Sequence, residues 1–209
     1  MTNKIADISI VDYGVSNVGS IQNMLRKIGF SVEVISSPEK ILSSKKIILP
    51  GVGSFDNGMS ALEGLGLVEA IKVKLLSEKT PFLGICLGMQ LLSNGSEEGI
   101  KAGLGIIPGK CVKIRPAGLN PVKVPHMGWN VPVVIQDNVV LGVSDKSSRF
   151  YFTHSYHFVC ENQDNVIAIV DHGANLTAMV QQKNVFGVQF HPEKSHRFGI
   201  SILTNFGRL

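Results

Sequence analysis

The stretch 80-TPFLGICLGMQLL-92 places a cysteine where a buried strand runs straight into a helix. Phe82 to Ile85 is a short apolar run of the kind found in strands covered on both faces, and Met89, Gln90 and Leu92 begin a helical pattern. Cys86 occupies the joint. Gly84 and Gly88 stand two residues to either side, the G-x-nucleophile-x-G spacing of a nucleophile elbow, in which a sharp turn leaves no room for side chains. A thiol so placed points out of the carboxyl edge of its sheet, where the N-terminal dipole of the following helix stabilises a thiolate. Taken alone, the stretch also fits a small buried cysteine between two turn glycines.

A nucleophilic cysteine needs a base, and 187-GVQFHPEKS-195 offers one. Val185 to Phe190 reads as another buried strand, with His191 at its carboxyl end and Glu193 two residues on. In an open parallel sheet the carboxyl ends of the strands share one crevice, so Cys86 and His191 can meet although far apart in sequence. Glu193 then holds the imidazole in one tautomer and stabilises its charged form. His154 is a competing base, but no acid stands beside it.

Outward from the elbow, the N-terminal half alternates strand and helix. Ile5 to Val11 is a first strand. Val18, Ile21, Leu25 and Ile28 recur at helical spacing, with Ser16 or Asn17 as cap and Gly29 as stop. Ser31 to Ile35 and Lys46 to Leu49 are further strands, separated by a short helix starting at Ser37-Pro38. Leu67 to Leu76 is an amphipathic helix leading to the elbow strand. From Ile106 the pattern turns β-rich, with segments at Cys111–Arg115, Val122–Val124, Phe150–Val159, Val166–Val170 and Ala178–Gln182. Between them, 125-PHMGWN-130 reads as an interrupting loop, and Arg197 to Phe206 as a closing helix. The expected architecture is α/β: an open, mostly parallel, doubly wound sheet with helices on both faces and an antiparallel β extension, residues 1–209 forming one domain.

The third strand ends in Pro50-Gly51-Val52-Gly53, a second glycine-rich loop at the same edge as Cys86. Its glycines let the backbone approach a ligand and leave N–H groups free to face an oxyanion. A dinucleotide fingerprint would need glycine at position 56, which is Asp56, and no P-loop sequence is present.

With 209 residues, 44% of them hydrophobic, the chain is long enough for one substantial core. A net charge of +4 from scattered Lys and Arg indicates neither nucleic acid nor an anionic membrane as partner. No signal peptide and no run of ~18 apolar residues is present, and the three cysteines lack framework spacing, so a cytoplasmic location is expected. No Cys/His cluster has zinc-ligand spacing; neither a metal nor a cofactor is expected.

Together, GICLGMQ and HPEKS resemble the class I (triad) glutamine amidotransferases. PGVG at 50–53 and PHMGWN at 125–130 narrow the resemblance to the glutaminase subunits of imidazole glycerol phosphate synthase, over essentially the whole chain. The resemblance implies hydrolysis of L-glutamine through a Cys86 thioester, with His191 and Glu193 completing a triad. It implies an oxyanion hole from the N–H groups of Val52 or Gly53 and of Leu87, with the PGVG peptide poorly oriented until a loaded partner docks. Gln90 and Glu98, with Ser155 and Tyr156, are the implied glutamine-binding residues. Trp129, Tyr151 and Lys194 are the implied interface with a (β/α)8-barrel cyclase subunit, which would receive the ammonia in a heterodimer of histidine biosynthesis.

Three other readings remain open at this level. Close paralogues supply ammonia for amidation of surface-polysaccharide sugars. A hydrolase of γ-glutamyl peptides would share the fold. A flavodoxin-like binding protein would use Cys86 for nothing.

Overall fold

The computed structural model describes residues 6–77, 80–116, 122–142 and 148–209. In chain order the elements are β1 (Ile8–Val11), α1 (Val18–Lys27), β2 (Val32–Ile35), α2 (Pro38–Ser43), β3 (Ile47–Gly51), α3 (Phe55–Gly64), α4 (Leu67–Ser77), β4 (Phe82–Cys86) and the single turn α5 (Leu87–Gln90). There follow β5 (Gly109–Lys113), β6 (His126–Asn130), β7 (Val133–Val134), β8 (Phe150–His154), β9 (Tyr156–Cys160), β10 (Val166–Asp171), β11 (Asn175–Gln182), β12 (Val185–Val188) and α6 (His196–Gly207).

Among the described residues the main sheet has eight strands in the order β2-β1-β3-β4-β12-β11-β10-β7. The first five pair in parallel and the last three antiparallel. Parallel strands covered on both faces must be apolar on both, and these are: Ile47 and Leu49 of β3 pack under α2, α3 and α4, whereas Ile48 faces α1 and α6. Ile41, Leu62 and Ile71 belong to the first layer; Ile21, Leu25, Ile202 and Phe206 to the second. The doubly wound sheet with an antiparallel extension is as expected. Two further two-stranded antiparallel ladders, β5–β9 and β6–β8, lie beyond it.

Several details differ from the sequence reading. Residue Ile5 of the expected first strand lies outside the described residues. Helix α3 was not anticipated, because Gly58 and Gly64 interrupt its apolar pattern; at Gly58 a Cβ would stand only 3.1 Å from Leu87 Cδ2, so the helix packs here by lacking a side chain. Val122–Val124 is not a strand. The strand is instead His126–Asn130, after the Pro125 that removes a backbone donor, and it pairs residue for residue with Phe150–His154. The segment 150–159 is two strands divided at Ser155, each in its own ladder.

Candidate active site

Strand β4 delivers Cys86 at the carboxyl edge of the sheet with φ 54°, a left-handed value costly for a residue bearing a Cβ. The flanking glycines make the turn possible. A Cβ on Gly84 would lie 2.5 Å from the Gly88 carbonyl oxygen, and one on Gly88 would lie 1.8 Å from that of Leu49. The helix behind the cysteine is four residues long rather than extended, so the dipole expected there is that of one turn.

Neighbouring strand β12 pairs in parallel with β4 and ends just before His191. The His191 imidazole is buried, and its Nδ1 lies 2.7 Å from Glu193 Oε1, with the two side chains only 3% and 4% exposed. Ser195 clamps this turn: its hydroxyl donates to the His191 carbonyl at 2.6 Å and accepts from the Tyr151 N–H at 3.0 Å. His191 Nε2 and Glu193 Oε2 are buried without a hydrogen-bond partner among the described residues. Burial pulls the His191 pKa down, but its interactions with Cys86 and Glu193 outweigh this and raise it to about 10.

The thiol opens into a cleft of about 300 Å³ lined by Val52, Gly53, Leu87, Gln90, Glu98, Pro125 and residues 153–156. All four expected glutamine-binding residues and all three expected oxyanion residues thus meet at one place. The Val52 N–H, however, is committed to the Val15 carbonyl at 2.9 Å and does not face the cleft. Glu98 accepts the Phe55 N–H at 2.8 Å, tying the cleft to the first turn of α3. His154 is no rival base: it donates from Nδ1 to the Tyr156 carbonyl at 2.9 Å, leaving Nε2 to accept from His126 Nδ1 at 3.0 Å. Burial above all pushes its pKa down to about 3, so it stays neutral.

A family model described as "Glutamine amidotransferase class-I" matches residues 9–208. The chain belongs to this family. It is 48% identical to imidazole glycerol phosphate synthase subunit HisH 2 of Methanococcus maripaludis, over 95% of this chain and 98% of that one. It is 44% identical to subunit HisH of Leptospira interrogans, over 97% and 100%. Among solved structures, one called glutamine amidotransferase superposes with a TM-score of 0.72 at 17% identity, covering 97% of this chain and 99% of that one. PurLQS from Thermotoga maritima gives 0.72 at 20%, covering 95% and 96%. At such identities these two speak for the fold alone.

In this amidotransferase the sequence reading passed over Gln189. Wholly buried, it donates from Nε2 to Cys86 Sγ at 3.6 Å and accepts from Gln90 Nε2 at 3.0 Å. Gln90 also donates to the Tyr156 carbonyl at 3.0 Å. The signal was available: a glutamine inside the apolar run 185–190 is buried, and a buried amide requires partners.

The expected interface residues also cluster. Trp129, 43% exposed, meets Tyr151 edge-on at 6.1 Å, and the Lys194 ammonium lies 5.6 Å from the Tyr151 ring centroid. The His196 ring stacks on Trp129 at 5.4 Å, and the Arg149 guanidinium lies over it at 5.6 Å. Trp129 sits on strand β6 rather than in a loop, which aims its ring from a paired backbone. Among the described residues no helix is long and apolar enough to cross a membrane.

The histidines set a pH dependence of stability. Burial, assisted by His172, lowers the His126 pKa from 6.5 to about 4, and His154 falls further. Their contribution is complete above about pH 6.5 and is lost as the pH falls toward the folded values. His191 has the opposite sign: complete below 6.5, lost as the pH rises through about 10. The melting temperature is therefore expected to peak near pH 6.5 and decline on both sides, as calorimetry across that range would measure. A melting temperature rising steadily from 6.5 to 10 would contradict the His191 assignment.

Proposed function

We propose that the chain, working as one glutaminase domain, hydrolyses the side-chain amide of L-glutamine and passes the ammonia to a cyclase subunit. What supports the chemistry best is the buried His191–Glu193 pair beside a cysteine held at positive φ above a cleft of substrate size. The Cys86 thiolate attacks the amide carbon; the oxyanion accepts hydrogen bonds from the Leu87 N–H and from the Val52 or Gly53 N–H. As the carbon–nitrogen bond breaks, the imidazolium of His191 gives its proton to the departing ammonia. Water, deprotonated by His191, then cleaves the γ-glutamyl thioester and releases glutamate. Glu193 supports the cationic imidazole through both steps, and Gln90, Glu98, Ser155 and Tyr156 hold the substrate. An amide is resonance-stabilised, so the site needs both an activated thiolate and preorganised donors, each worth roughly 3 kcal/mol.

The named relatives are subunits of imidazole glycerol phosphate synthase, which assigns the reaction to histidine biosynthesis. The partner is then a (β/α)8-barrel cyclase in a heterodimer, docked on the face of Trp129, Tyr151 and Lys194. It adds the ammonia to a ribulosyl formimino aminoimidazole carboxamide ribotide, giving imidazole glycerol phosphate and an aminoimidazole carboxamide ribotide. Free ammonia would be protonated and diluted, so such a product is useful only when channelled. In the resting chain the Val52 donor faces Val15, which supports a glutaminase that waits for its partner.

The test is glutamate release by the chain alone and with a barrel cyclase carrying its ribotide. Stimulation of about 100-fold or more is expected, the worth of one oxyanion donor. Equal rates with and without the loaded partner would argue against the coupling.

A further inference from the structure

Tyr13 follows β1 and is 3% exposed, yet its hydroxyl has no hydrogen-bond partner among the described residues. The hydroxyl lies against the glycine loop: a Cβ built on Gly51 would fall 2.4 Å from the phenolic oxygen. Burial, and then the nearby charge of Cys86, hold the phenol above its ordinary pKa, so it keeps its proton and remains a donor. Ser16, three residues on, also carries a buried hydroxyl without a partner. Between them stands Val15, whose carbonyl accepts the Val52 N–H at 2.9 Å. One short loop thus carries a single engaged acceptor and two idle hydroxyls, of which the Tyr13 hydroxyl lies against Gly51.

This arrangement has a direction. A peptide unit is rigid and planar, so turning the Val52 N–H toward the cleft sends the Gly51 carbonyl to the side the N–H has left. There it would meet the Val15 carbonyl, and two acceptors facing each other gain nothing. The donor in contact with Gly51 is the Tyr13 hydroxyl. We propose that Tyr13 is a positioning residue: in the turned conformation its hydroxyl donates to the Gly51 carbonyl and thereby holds the Val52 N–H at the oxyanion. An unpaired hydroxyl in the resting chain and a paired one in the turned chain both favour the turn, since a buried polar group left unsatisfied is costly. The inference rests on the glutaminase reading and on Val52 as an oxyanion donor.

Tyr13→Phe removes only the hydroxyl. In the complex with the loaded cyclase, kcat for glutamine hydrolysis is expected to fall about tenfold, the worth of one hydrogen bond, with KM within about twofold. The melting temperature of the free chain should stay level or rise, because the variant loses an orphaned polar group rather than a contact. A kcat like that of the wild type would overturn the assignment, as would a rise in KM alone, or a lowered melting temperature accompanying the loss. Ser16→Ala is measured in parallel: if it, and not Tyr13→Phe, carries the loss of kcat, the donor is Ser16 and the proposal for Tyr13 fails. The Cys86→Ala variant separates the two levels. If it is inactive while Tyr13→Phe is unimpaired, only the present inference falls; if it stays active, the glutaminase reading itself falls.

Discussion

Cys86→Ala should abolish glutamate release from glutamine, by on the order of 10⁴-fold or more in the presence of the loaded partner, because no thioester can form. The variant should fold as the parent does. Alanine removes one sulfur atom facing a cleft, and the strained backbone at position 86 is no worse for alanine than for cysteine, both bearing a Cβ. Gln189 loses a weak contact to sulfur and keeps the one to Gln90. Two measurements are needed: glutamate production under partner stimulation, and the melting temperature. Activity within tenfold of the parent would remove Cys86 from the chemistry, and with it the roles given to His191 and Glu193.

Gly88→Ala is the largest expected effect on folding. Its Cβ would lie 1.8 Å from the Leu49 carbonyl oxygen and 2.9 Å from the Leu49 carbonyl carbon. These are backbone atoms of a central strand, so no rotamer change relieves the overlap, and either α5 or β3 must move. Overpacking of this kind costs about 3 kcal/mol or more, which in a chain of this size lowers the melting temperature by roughly 6–12 °C. Gly19, inside α1, is the control: nothing lies within 4 Å of its Cβ position. There alanine should be neutral or stabilising by up to about 1 kcal/mol. Equal melting temperatures for Gly88→Ala and the parent would mean that the turn behind Cys86 is not as close to β3 as described.

These two variants probe what the sequence made most legible. Phe82–Ile85 and Val185–Phe190 could be read as buried strands because both faces of a parallel sheet are covered, which leaves an apolar run without alternation. Once the strands were parallel, Cys86 and His191 at their carboxyl ends had to share an edge. What escaped depended on partners distant in the chain. Helix α3 carries Gly58 because of Leu87 and Leu91, which no local pattern reveals. Strand β6 exists because β8 pairs with it, despite a glycine at φ 125° in its middle. Gln189 acquires meaning only from Cys86 and Gln90, and the orientation of the Val52 peptide only from Val15. The meeting of the candidate residues at one sheet edge was readable from local spacing; backbone pose and hydrogen-bond company were set by tertiary structure.

The link between Val52 and Val15 also bears on how a cell can manage the two subunits. On the proposed reading, a chain whose default backbone pose withholds the Val52 N–H from the oxyanion can be synthesised in excess of its partner subunit with little drain on the glutamine pool. Unequal expression of the two genes then wastes protein but little nitrogen.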